Sequence, residues 1–202
     1  MKYKNTYLLA GIPVEMICTG EYLVRQCRDY ITDMTPEFSI EMTEDDIAAE
    51  KERSEDKSYS DGYYESLAFY RKLCDKIPDR GIILFHSCAV AVDGKAYLFT
   101  APSGTGKSTH ASLWKEILGE RVRIINGDKP LIRVTPGHIT VYGTPWNGKE
   151  RWGENSHADI LQAYASSRAP RKIRSCLSPE VTQCRFSTAR HTEHPQPRGL
   201  HM

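Results

Sequence analysis

The sequence predicts an α/β fold with a mixed sheet, and three features of its middle third carry that expectation. Residues 82–92, IILFHSCAVAV, form a strongly apolar strand; Asp93-Gly94 is a two-residue hairpin signal, and KAYLFT at 95–100 returns as a second strand. A glycine-rich loop comes next, then a helix from about Ser108 to Leu118, stopped by Gly119. A further strand, RVRIIN at 121–126, ends at Gly127-Asp128. A hairpin feeding a loop, a helix and another strand places antiparallel and crossover connections in one sheet.

The remaining elements are read in chain order. Residues 3–18, YKNTYLLAGIPVEMIC, mix β-formers with a Gly and a Pro and read as a strand or hairpin start. Residues 21–32 are ambiguous, with a helix favoured. PEFSIEM at 36–42 alternates apolar and polar and suits a short strand. The polar run 44–60, EDDIAAEKERSEDKSYS, reads as a solvated helix or loop. Tyr63, Leu67, Tyr70 and Leu73/Cys74 recur at helical spacing over 62–76, and Pro78 ends that helix. Residues 131–134 and 138–142 read as a second hairpin across Pro136-Gly137. No internal repeat is found. The organisation expected is an α+β region at 1–80, a core at 81–155 and an irregular basic tail at 156–202.

A chain of 202 residues, 40% apolar and 9% aromatic, is long enough to bury a core without disulfide or metal staples. Net charge is +1, which gives no chain-wide case for nucleic acid. It is unevenly spread: residues 161–202 carry seven Lys/Arg and two Asp/Glu, against 20 and 24 in the first 160. The longest apolar stretch, Gly81 to Val92, is too short to span a bilayer, and the N-terminus does not read as a signal peptide. The expectation is a cytoplasmic protein without a membrane partner. Its six scattered cysteines, with no CxxC pair, are expected to be reduced thiols.

The loop is Ala101-Pro102-Ser103-Gly104-Thr105-Gly106-Lys107-Ser108. It matches the Walker A pattern, except that Ala101 stands at the usual first Gly. That is tolerable if Ala101 keeps an ordinary backbone conformation while Gly104 and Gly106 supply the positive φ angles. Ser103 to Thr109, including Thr105, would cradle a nucleotide's phosphates on backbone amides at a helix N-terminus. Lys107 would reach the β- and γ-phosphates, and Ser108 would place its hydroxyl on Mg²⁺. Asp128, at a neighbouring strand tip, is the candidate second Mg²⁺ ligand; the alternative is a turn Asp within Gly-Asp-Lys-Pro.

With its hairpin ahead of the loop, FHSCAVAVDGKAYLFTAPSGTGKST resembles the C-terminal domain of HPr kinase/phosphorylase, a relative of phosphoenolpyruvate carboxykinase. The similarity runs from His86 to about Glu150. It covers the 21-residue spacing from His86 to Lys107, the run INGDKP where the family carries an acidic metal-binding pair, and GTPWNGKE. It implies a P-loop nucleotide-binding domain that takes ATP (or GTP) with Mg²⁺ and phosphorylates a hydroxyl of a protein, peptide or small molecule. Asp128 would then hold metal, and His86 would sit by the transferred phosphoryl or the acceptor; the alternative for His86 is a satisfied histidine in a buried strand. Lys149 is either a clamp on phosphate or acceptor, or a solvated loop lysine. His110 either faces the nucleotide or belongs to core or surface. The chain departs from the family at Gly127, where one carboxylate of the pair is absent, so it is expected to bind nucleotide better than it turns it over; a gain of activity in Gly127→Asp would support assigning Asp128 to metal and its neighbour to base. Nothing before residue 80 matches the family's sensor domain.

The resemblance stops near Asn155. The codons of QAYASSR, 162–168, can spell Gly-Ile-Cys-Phe-Leu-Ala in a shifted frame, and the expectation is that the chain leaves an original frame there. A disordered basic tail is the alternative. Three rival functions stay open: nucleotide binding without turnover, an ordinary small-molecule kinase, and a carboxykinase-like decarboxylase.

Overall fold

In the computed structural model, residues 2–102, 104–166 and 173–175 are described, and they form two sheets and four α-helices. The first sheet begins with a hairpin. β1 (Tyr3–Leu9) and β2 (Ile12–Cys18) pair antiparallel, with Leu9 opposite Ile12, and β3 (Phe38–Glu41) adds in parallel to β2. Alternation puts Tyr7, Leu9, Val14, Met16 and Ile40 on the buried face. Between β2 and β3 lies α1 (Glu21–Cys27), with a 3₁₀ turn after it, which resolves the ambiguous 21–32 segment as helix.

The polar run divides. Residues Glu44–Arg53 form α2, and 54–60 lead as a loop into α3 (Asp61–Lys76). Phe69, Leu73 and Ile77 from α3 and its end, with Leu23 and Cys27 from α1, cover the first sheet. The same apolar cluster continues into Ile82, Leu131 and Trp146, so residues 1–80 share a core with the second half of the fold.

The second sheet is mixed, as expected, but its first strand is not continuous. The apolar run 82–92 splits into β4 (Ile82–Leu84) and β5 (Cys88–Val92). Phe85-His86-Ser87 leaves the strand because its amides are taken elsewhere. Phe85 N donates to Pro130 O at 3.2 Å and Ser87 N to Asp128 O at 3.0 Å. Hydropathy cannot register such a break, since the residues on both sides are equally apolar. β5 pairs with β6 (Lys95–Thr100) through the Asp93-Gly94 turn and, on its other edge, with β7 (Val122–Asn126). α4 (Lys107–Leu118) packs on one face of these strands, against Cys88, Val90, Phe99, Val122 and Ile124. Ala89, Ala91, Leu98 and Ile125 fill the other face, which is why the strand reads as apolar at every position.

β8 (Leu131–Thr135) and β9 (His138–Tyr142) form the second hairpin, and β8 pairs with β4. The tail expectation is corrected at its start. His157–Ser166 is a ten-residue strand, β10, lying between β9 and β6 and parallel to β6. A short β11 (Ile173–Ser175) pairs with its far end. Segment 157–166 reads as irregular because it sits edge-on to two different partners and carries a bulge between Ile160 and Gln162, which disturbs the alternation. The rest of the expected basic tail lies outside the described residues. The order across the sheet is β4-β8-β9-β10-β6-β5-β7. Among the described residues no helix is long and apolar enough to cross a membrane.

Candidate functional site

Strand direction brings three chain segments to one sheet edge. β5 runs antiparallel to both β6 and β7, so β6 and β7 end on the side where β5 begins. The loop after β6, the Gly127-Asp128 turn after β7 and His86 just before β5 therefore converge.

The loop has the backbone its sequence demands. Gly104 and Gly106 take φ of +75° and +92°, while Ala101 is not among the residues with positive φ. Thr105 Oγ1 donates to Pro102 O at 2.6 Å and braces the turn. Gly106 is the N-cap of α4 and offers no side chain, whereas Thr43 and Ser60 cap α2 and α3. Among the described residues, the first amides of α4, on Lys107, Ser108 and Thr109, have no side-chain acceptor, and a helix N-terminus in this state favours an anion. Lys107 folds back, its Nζ donating to Ala101 O at 2.8 Å. Ser103 lies outside the described residues.

Asp128 is held by a rigid turn. Buried Asn126 accepts at Oδ1 from the amides of Asp128 and Lys129, each at 2.8 Å, and its Nδ2 donates to the Thr144 carbonyl and hydroxyl. The carboxylate, 24% exposed, receives His86 Nε2 on Oδ1 at 2.9 Å and Lys129 Nζ on Oδ2 at 2.6 Å. Burial pushes its pKa up, but Lys129 and His86 outweigh that and hold it below the ordinary value. It is therefore an ionised carboxylate at neutral pH. The Cys88 thiol is buried at the start of β5. Burial pushes it up to about 12, Lys107 opposes that rise and Asp128 adds to it.

Of the two readings of His86, the buried-strand one is not found: the ring is 55% exposed, on the break between β4 and β5. Lys149 is exposed and makes no ion pair among the described residues, although its neighbour Gly148 packs on Asp128, where an added Cβ would lie 3.0 Å from the Asp128 Cβ. His110 is half-buried and packs edge-on against Phe99, ring centroids 4.6 Å apart.

The backbone crowds the space at Gly127. A Cβ there would lie 2.7 Å from the Asn147 carbonyl and 3.2 Å from that of Trp152, and the Gly127 amide donates to Trp152 O at 2.8 Å. A restored carboxylate has no room, so an Asp at 127 would move backbone instead of supplying a base. Sequence reasoning missed Asn126, Thr144 and Lys129. The Asn-Gly-Asp run at a strand end is an Asx-turn signal that could have found Asn126; Thr144 has no local signal.

No cluster of three or more His, Cys, Asp and Glu among the described residues could hold a metal by itself. The donors do fit a Mg²⁺ that is shared with phosphate: one ionised carboxylate with lone pairs beyond those used by His86 and Lys129, and the Ser108 hydroxyl in the first turn of α4. No protein-family model matches this chain, and comparison with curated proteins finds no similar sequence.

Proposed function

We propose that this chain is a P-loop phosphotransferase of HPr-kinase-like type, which binds ATP (or GTP) with Mg²⁺ and transfers the γ-phosphoryl to a hydroxyl. One observation carries the reading. An uncapped helix N-terminus behind a loop with two left-handed glycines, an ionised aspartate and a histidine meet at the same sheet edge. The loop amides and Lys107 bind phosphate, with Lys107 exchanging the Ala101 carbonyl for phosphate oxygen. Ser108 and Asp128 would hold Mg²⁺, which would supply neutralisation of phosphate charge. A metal-bound carboxylate is a poor base, so proton removal from the acceptor falls to His86, which Asp128 orients through Nε2. Lys149 flanks the acceptor side from the turn against Asp128.

A second reading, nucleotide binding without turnover, draws on the closed space at Gly127, which leaves no second carboxylate beside Asp128. Single-turnover incubation of labelled ATP with candidate hydroxyl acceptors separates the two. Transfer that is lost in His86→Ala while nucleotide affinity is retained supports the phosphotransferase; tight binding with no transfer to any acceptor supports the second reading.

A further inference from the structure

We infer that Tyr164 and His110 form the subsite on which the base of the bound nucleotide stacks. The inference rests on the phosphotransferase reading above and locates the nucleoside end of its substrate. Aromatic rings gather beside the first turns of α4. Phe99 of β6 stacks on Tyr164 of β10, with centroids 5.5 Å apart and planes within 11°. His110 and Trp114, one turn apart on α4, each meet Phe99 edge-on, at 4.6 and 5.1 Å, and Tyr97 meets Trp114 at 5.1 Å. Phe99 is buried, whereas His110, Trp114, Tyr97 and Tyr164 are half-buried. Tyr164 Oη donates to Gln162 Oε1 at 2.8 Å, which anchors the phenol.

Two connections tie this cluster to the phosphate loop. The His110 amide donates to Gly106 O at 2.9 Å, so its ring leaves α4 within the first turn, beside the amides of Lys107 to Thr109. Tyr164 is in register with Phe99, and Phe99 is followed by Thr100 and Ala101, where the loop starts. β10 runs parallel to β6, so its Tyr164 end reaches the same sheet edge as the loop.

The sheet order selects which end of a nucleotide faces the cluster. β6 has β5 and then β7 on one side and β10 on the other. Asp128 follows β7, so the terminal phosphates belong on the β7 side of the loop. The α-phosphate and nucleoside then leave the loop on the opposite side, over the end of β10, where Tyr164 and His110 stand. A flat base gains burial and stacking on aromatic rings placed there.

The test compares ATP with tripolyphosphate, which keeps the phosphates and lacks the base, both with Mg²⁺, by calorimetry on the full chain. Loss of a base–aromatic stack weakens binding roughly five- to thirtyfold. Tyr164→Leu and His110→Leu should therefore weaken ATP and leave tripolyphosphate unchanged, while Tyr164→Phe, which keeps the ring, should retain ATP affinity. Photolysis of bound 8-azido-ATP reads the unmodified chain, and its label should fall on the peptides that carry His110 or Tyr164. Equal losses for ATP and tripolyphosphate, an ATP affinity untouched by both leucine variants, or a label confined to other peptides overturns the base subsite; tripolyphosphate binding to the unmodified chain then leaves the phosphate loop standing. Failure of the unmodified chain to bind either compound overturns the subsite and the phosphotransferase reading together.

Discussion

At the scale of single residues, the candidate site depends on two glycines that let backbone approach Asp128. Gly148 lies against its side chain, and Gly127 lies under the Asn147 carbonyl. Gly127→Asp is therefore expected to lower stability by about 1–3 kcal/mol, through forced backbone movement and crowding, with no gain in transfer. Urea denaturation checks the first part, and an active, fully stable variant would contradict it. Asp128 makes a separate prediction. If it holds Mg²⁺, Asp128→Asn weakens nucleotide binding in Mg²⁺ much more than binding measured in EDTA, because loop amides and Lys107 contact phosphate without metal. Equal losses under both conditions would make Asp128 a turn residue whose work is done by its contacts with His86 and Lys129.

At the scale of elements, α2 shows how a polar segment is retained without an apolar stripe. Thr43 and Asp46 form a capping box at its start. Arg71 of α3 reaches both oxygens of buried Glu50 at 2.8 Å, and Lys72 reaches Asp46 at 2.6 Å. Thr43→Ala should destabilise by about 1 kcal/mol, read as a lower urea midpoint. The Arg71 hydrogen bonds hold Glu50 below the usual carboxylate range against the opposing effect of burial. A lowered folded pKa gives stability that is present above the unfolded value of about 4.3 and is lost as pH falls through the folded one. Stability should thus drop as pH falls below about 4.3, and Glu50→Gln should flatten that drop. An identical pH slope in the variant would contradict the assignment. The charges of 44–60 were legible in the sequence, but their partners were not, because Arg71 and Lys72 lie on another helix, about 20 residues on. The break at Phe85-His86-Ser87 was hidden for a similar reason, since the amides that end β4 find acceptors at residues 128 and 130.

At the scale of the molecule, the legible features were local ones. The β5–β6 hairpin, the loop glycines and α4 each announce themselves within a few residues. The pairing of His86 with Asp128, 42 positions apart, arises only because antiparallel β5 returns the chain to the edge where β6 and β7 end. β10 was missed because its support is the parallel edge of β6, which no pattern in 157–166 encodes. The central claim is that this shared edge binds nucleotide phosphate, and the most direct measurement is the ATP dissociation constant of the chain and of Lys107→Ala in Mg²⁺. Removing a charged contact worth about 1.5–3 kcal/mol should weaken binding roughly ten- to a hundredfold. Failure of the unmodified chain to bind ATP, or an affinity unchanged by Lys107→Ala, would contradict the account.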